Sequence, residues 1–185
     1  MVRGSRHQPA VAHLASIAGV AELLVMRHGK SDWSTGLDDF DRPLSKRGNN
    51  DAPAMGEWLA DNDLVPTTIV TSAAARAFAT AAHVAEVVGF DPASMEARDD
   101  LYLASAHRWL EVIGERDDDE RLLICGHNPG LDDFVEYLSA DPLTYTDDHK
   151  LMTTAAIAVF EIERWGSLDA RSVPLLHLIR PKELD

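Results

Sequence analysis

Leu23-Leu24-Val25-Met26 is a four-residue apolar run that stops at Arg27-His28-Gly29. An apolar run this short, closed by a cation and a glycine, reads as a strand buried on both faces and ending in a loop. The pattern recurs twice. Thr67-Thr68-Ile69-Val70-Thr71 is β-branched and reads as a second buried strand. Leu122-Leu123-Ile124-Cys125 reads as a third, followed by the turn Gly126-His127-Asn128-Pro129-Gly130. Helical periodicity fills the intervals. Ser45 is placed to N-cap a helix through Met55, Trp58 and Leu59 to about Asn62, and an alanine-rich helix runs from Ala73 to Val88 with Gly89 as its stop. An extended piece is expected over Met95 to Leu101. An amphipathic helix then starts at Ser105 and carries Trp109, Leu110 and Ile113, and a further helix covers Leu131 to Leu138. Ala156 to Ile162 and Val173 to Ile179 read as two strands joined by a turn at Trp165-Gly166, suited to a hairpin at the sheet edge.

Strand and helix alternate, so the expected fold is α/β, a three-layer sandwich with a mainly parallel central sheet flanked by helices. Residues 21–185 read as one domain and residues 1–20 as an N-terminal extension, flexible or docking. Arg3 and Arg6 precede the mildly apolar stretch Ala10 to Val20, but His13, Ser16 and Glu22 spoil it as a secretory signal. No run has the length needed to cross a bilayer.

Composition narrows the function. The net charge is −14, from 31 acidic and 17 basic residues, which disfavours nucleic acid or an anionic membrane as partner. A cluster of Arg and His within so acidic a chain is a local cationic pocket, suited to a small or protein-borne anion. Cys125 is the single cysteine, so no disulfide and no Cys-rich zinc site is expected, which fits a cytoplasmic setting. The position five residues after Cys125 plus one is Leu131 rather than arginine, which removes the cysteine-dependent phosphatase pattern. His83, His107, His149 and His177 lack zinc spacing, and Asp117-Asp118-Asp119-Glu120 reads as a solvated loop. No metal or other cofactor is expected, and the oligomeric state is left open.

In α/β sheets, ligands bind beyond the carboxyl ends of the strands. Three such ends carry Arg27-His28, Thr71-Ser72 with Arg76 soon after, and Gly126-His127. Two histidines and two arginines on one rim suit phosphoryl transfer. Guanidiniums bind phosphate bidentately, and a neutral imidazole can attack phosphorus to give a phosphohistidine. Arg27 and Arg76 would also help keep His28 neutral.

Leu24-Val25-Met26-Arg27-His28-Gly29-Lys30-Ser31-Asp32-Trp33 resembles the Arg-His-Gly opening of the histidine phosphatase superfamily, the phosphoglycerate mutase-like fold. Asp41-Arg42-Pro43-Leu44-Ser45-Lys46-Arg47-Gly48, the segment Thr71-Ser72 through Arg76 to Ala81, and Cys125-Gly126-His127-Asn128-Pro129-Gly130-Leu131 are similar to its later motifs. The short length, His127-Asn128-Pro129 and Leu151 to Ala158 look most like the SixA-type phosphohistidine phosphatases. The resemblance implies that His28 is the nucleophile, that Arg27, Arg76 and His127 hold phosphate in the transition state, and that Arg42 is a fifth contact. Ser72 and Asn128 are candidates for further hydrogen bonds, Lys30 for steering an anion, and Trp33 and Tyr102 for the pocket mouth or the core.

Departures bear on substrate. Ser34 stands where many relatives carry a phosphate-holding asparagine, and Ala79 replaces a frequent glutamine. No carboxylate matches the usual general acid; Glu96, Asp99 and Asp100 lie in the right interval. A missing acid costs an alkoxide leaving group roughly 10²–10⁴ in rate, whereas an imidazole can carry its own proton away. The expected substrate is therefore protein phosphohistidine or a related phosphoramidate. A small phosphomonoester is the first alternative, and a catalytically weak phosphate-binding module the second. A mutase is disfavoured, because no long insertion is available to enclose a bisphosphate.

Overall fold

The structure, a computed structural model, describes residues 20–184. The N-terminal extension expected over residues 1–20 therefore lies, but for Val20, outside the described residues. Six strands, β1 (Ala21–Arg27), β2 (Thr68–Ser72), β3 (Glu96–Arg98), β4 (Arg121–Gly126), β5 (Ile157–Ile162) and β6 (Leu175–Ile179), form one sheet in the order β3-β2-β4-β1-β5-β6. Four helices accompany them: α1 (Lys46–Asp61), α2 (Ala75–Val88), α3 (Ala106–Gly114) and α4 (Gly130–Leu138).

Alternation along the strands divides the core. Leu23 and Val25 of β1 pack with Trp109 of α3 and Phe134 of α4. Leu24 and Met26 pack with Met55 and Leu59 of α1 and Ala77 and Val84 of α2. Both faces of β1 are thus covered, which is why its apolar run is continuous. Each fully buried Leu there contributes on the order of 2 kcal/mol. Small residues let α1 and α2 approach: a Cβ on Gly56 would stand 3.1 Å from the Val87 Cβ. Helix α2 stops where expected, at Gly89 in the left-handed conformation with φ 76°.

The sheet is mixed, which corrects the expectation of a mainly parallel one. β2, β3, β4 and β1 pair in parallel, joined by helical crossovers. β5 runs antiparallel to β1, and β6 antiparallel to β5. The cause is the connection over 139–156. It brings the chain back to the rim where β1 ends, so Ile157 pairs with Met26 and β5 starts at the functional end of the sheet. β5 and β6 do form the expected antiparallel pair, with β6 at the edge. The extended piece near residue 98 is shorter than expected, because Asp99–Leu101 turn into a single 3-10 turn.

Gly130 opens α4 directly after the His127 turn, and a Cβ there would lie 1.9 Å from the Ala104 carbonyl oxygen. Gly130→Ala should therefore destabilise the fold by about 3 kcal/mol, the upper end of overpacking costs. Gly114→Ala, with open space around its Cβ, should be neutral or stabilising. Urea unfolding of the two variants beside wild type checks this.

Candidate active site

β1 and β4 are parallel neighbours with Arg27 opposite Gly126, so the next residue of each, His28 and His127, leaves the sheet at the same level. The His28 amide donates to the Gly126 carbonyl at 3.0 Å. The two rings lie 5.0 Å apart between centroids, inclined by 56°. β2, on the other side of β4, ends at Ser72, and the first turn of α2 supplies Arg76. The loop after β1 is seated on α1. The Lys30 carbonyl accepts from the Ser45 amide at 2.8 Å and the Ser45 hydroxyl at 2.9 Å. A Cβ on Gly48 would come within 2.3 Å of that carbonyl, so the approach requires glycine. The Gly29 amide donates to Thr80 Oγ1 at 2.9 Å, which in turn donates to the Arg76 carbonyl at 2.6 Å. Thr80 thus joins the His28 loop to the helix that carries Arg76.

The hydrogen bonds assign the His28 tautomer. Nδ1 lies 2.7 Å from the Gly29 carbonyl oxygen, which can only accept, so the ring proton sits there. Nε2 is therefore unprotonated, and its lone pair accepts from Arg76 Nε at 3.3 Å. Burial is the main cause that pushes the imidazolium pKa down to about 3; the Gly29 carbonyl opposes it, while His127, Arg76 and Arg27 add to it. The arginines thus act in the expected direction, but burial dominates. His127 is depressed to about 4, again chiefly by burial, then by Arg76.

His127 Nε2 lies 2.9 Å from Ser72 Oγ, which also accepts the Ala74 amide. With the serine proton turned toward Nε2, the ring proton of His127 lies on Nδ1. That nitrogen is buried without a partner, as are Arg27 Nε and Asn128 Oδ1. A buried unpaired polar group costs about 1–3 kcal/mol. Buried N–H donors without a partner are groups that an oxyanion could engage. Arg27 Nη1 is fixed on the Met152 carbonyl at 2.7 Å, and Asn128 Nδ2 reaches the same carbonyl at 3.2 Å.

Arg42 is buried, with Nε on Ser31 Oγ at 3.1 Å and its guanidinium 3.4 Å from the Trp33 ring centroid. Trp33, 72% exposed, belongs to the mouth rather than the core. Tyr102 does too: its ring meets His127 edge-on at 5.5 Å. Asp39, which sequence reasoning missed, ties the cluster together. Its Oδ1 pairs with Arg42 Nη2 at 2.8 Å, and Oδ2 takes Arg76 Nη2 at 2.8 Å and the Tyr102 hydroxyl at 2.6 Å. Those partners, Tyr102 first and then Arg76 and Arg42, hold its carboxyl below the usual range.

Other expected contacts sort differently. Ser72 orients His127. Ser34 spends its amide and hydroxyl on Asp32, in an exposed turn outside this network. Lys30 is exposed and, with Arg27, lines a cleft of about 1070 Å³ that opens between α1 and residues 146–154. Of the candidate acids, Glu96 is paired with Arg98 and Arg116, and Asp100 with Arg98 and Arg108, which holds it well below the carboxylate range. Asp99 is exposed. His83, His107 and His177 engage Asn49, Glu111 and Trp58. Cys125 is buried, its thiol pushed up to about 12, again by burial. Among the described residues no group of three or more His, Cys, Asp or Glu is placed to hold a metal ion, and no helix is long and apolar enough to cross a membrane.

Residues 23–102 match the model of the histidine phosphatase superfamily, branch 1. An uncharacterised Mycobacterium tuberculosis protein is 39% identical over 106 residues, 56% of this chain and 63% of that relative, so under two thirds of its length is spanned. Among solved structures, a Nakamurella multipartitia protein assigned as phosphohistidine phosphatase SixA superposes with a TM-score of 0.72 at 25% identity, covering 89% of this chain and 98% of its own. The protein histidine phosphatase SixA complexed with tungstate gives 0.75 at 20% identity, covering 89% and 99%. At 20% identity this second likeness is one of fold.

The depressed histidines have a measurable consequence. Their native pKa values lie below the unfolded value near 6.5, so both rings stay neutral as pH falls to about 5. Their contribution to stability is whole above pH 6.5 and is lost on acidification toward pH 4 and 3. Histidine-selective NMR should show neither His28 nor His127 titrating between pH 8 and 5. A midpoint near 6.5 for either ring would contradict the assignment.

Proposed function

We propose that the chain is a member of the histidine phosphatase superfamily and a phosphatase that works through a phosphohistidine on His28, with protein phosphohistidine or a related phosphoramidate as substrate. The observation that carries this reading is the His28 ring itself, protonated at Nδ1 against Gly29 and unprotonated at Nε2, which accepts from Arg76.

Nε2 attacks phosphorus in line, and the charge spread over the equatorial oxygens is met by guanidinium N–H groups of Arg27, Arg42 and Arg76 and by His127 Nδ1–H. The Gly29 contact serves both halves of the reaction. It holds the ring in the nucleophilic tautomer, and when water attacks the phosphorylated ring His28 departs as neutral imidazole rather than as an anion. A substrate phosphohistidine protonated on its other nitrogen leaves in the same way. The first transfer then exchanges one N–P bond for another, so it needs no strong acid from the protein.

The state of the carboxylates supports this substrate class. Glu96 and Asp100 are engaged by arginines. Asp39, at the site, is held ionised by Tyr102, Arg76 and Arg42. A phosphomonoester, the competing substrate, wants a protonated acid at its leaving oxygen, which none of these three supplies. The SixA-type structures, assigned to phosphohistidine, lend support from the side of the fold.

A panel of a phosphohistidine-bearing protein, phosphoramidate, p-nitrophenyl phosphate and sugar phosphates, assayed with and without chelator, tests the proposal. The N–P substrates should turn over fastest, chelator should change nothing, and acid-labile phosphate should be trapped on wild type. His28→Ala should lose the trapped phosphate and at least about 10³-fold of turnover. Full turnover by that variant would sink the mechanism, and faster phosphomonoester hydrolysis would move the substrate to that class.

A further inference from the structure

We propose that Asp39 is a positioning and selectivity residue: its carboxylate occupies the N–H donors that a phosphoryl group takes, and phosphoryl entry displaces it by rotation of its side chain alone. This rests on the reading of the His28 cluster as a phosphoryl site.

The carboxylate bridges two guanidiniums and a phenol, with one oxygen on Arg42 Nη2 and the other on Arg76 Nη2 and the Tyr102 hydroxyl. An oxyanion spread across paired guanidiniums is how arginines also hold phosphate. A phosphoryl group on His28 Nε2 lies next to Arg76, whose Nε points at that nitrogen. A phosphoryl group that takes the N–H of Arg76 Nη2 now facing Asp39 displaces the carboxylate, and two anions held side by side repel each other.

Each donor keeps its own anchor when the carboxylate leaves. Arg42 stays fixed through Nε on Ser31 Oγ and by stacking on Trp33. Arg76 stays fixed through Nη1 on the backbone carbonyl of Asp39, while its Nε–H, which faces His28 Nε2, passes to a phosphoryl oxygen once that nitrogen is bonded to phosphorus. Tyr102 is wedged edge-on between Phe40 and His127. The loop backbone is tied as well, by the Ala75 amide on the Phe40 carbonyl at 2.9 Å and the Asp32 amide on the Pro43 carbonyl at 2.9 Å. The Asp39 side chain is 42% exposed, so it can swing into solvent without moving the loop. Its departure leaves three donors aimed and unpaired. The carboxylate thus keeps the guanidiniums in register while setting a threshold that a weakly held anion does not pass.

Removing the charge while keeping the shape should therefore tighten anion binding, whereas loss of a scaffold would weaken it. Inorganic phosphate titrated calorimetrically into the full chain reads the sign. Asp39→Asn and Asp39→Ala should each bind phosphate about fivefold more tightly than wild type, the ratio expected when a half-exposed ion pair no longer has to be broken. The inhibition constant of phosphate against turnover should fall by the same factor. Unchanged or weaker binding in a variant that melts like wild type would overturn the role of Asp39, and if Asp39→Asn fails to fold, Asp39→Ala decides. Arg76→Ala separates the premise from the inference. It should weaken phosphate binding at least tenfold; if it leaves binding unchanged, the phosphoryl-site reading fails whatever Asp39 does.

Discussion

The parallel pairing of β1 with β4, in the register that sets Arg27 opposite Gly126, is the constraint on which the rest depends. One residue of slip would send every β1 side chain to the opposite face and separate the two histidines. The register is held by burial on both faces, since Leu23, Val25 and Leu122 serve one core layer while Leu24, Met26 and Leu123 serve the other. The same burial acts on chemistry. It strips water from His28 and His127, which keeps both rings neutral among three arginines. Packing and reactivity here have one cause.

The arginines are tolerated because each has a partner that is not a second buried charge. Arg27 rests on a backbone carbonyl, and Arg42 and Arg76 share a carboxylate at the rim, half open to solvent. A fully buried ion pair would carry a larger desolvation cost. The site is therefore cationic locally while the chain as a whole carries −14.

Much of this was legible in the residues. β1, β2 and β4 are short apolar runs that end at polar turns, and α2 has its glycine stop, so the rim bearing Arg27, His28, Arg76 and His127 followed from alternation of strand and helix. The direction of β5 did not, because a period of two looks the same read either way along a strand; only the return of residues 139–156 to the rim decides it. Asp39 stayed hidden for a related reason. Asp38, Asp39 and Asp41 are equivalent as letters in an irregular stretch, and contacts with Arg42, Arg76 and Tyr102, up to 63 positions away, single out one of them. Ser72 and Ser34 are the same letter, yet one backs the His127 ring and the other closes its own turn with Asp32. Whether a serine hydroxyl faces inward is set by the strand it ends, not by its neighbours in the chain.

The reversed strand has a consequence for assembly. Because β5 begins at the rim, the carbonyl that steadies Arg27 comes from Met152, 125 positions later. On the ribosome, four parallel strands and the His28–His127 pair can gather before that segment emerges. The guanidinium gains its hold only after residues 139–162 have emerged and β5 has zipped against β1, a closure of long contact order and hence of slow formation. Nascent chains therefore carry the two histidines before they carry the aimed arginine, and completion of the cationic cluster awaits the pairing of β5 with β1.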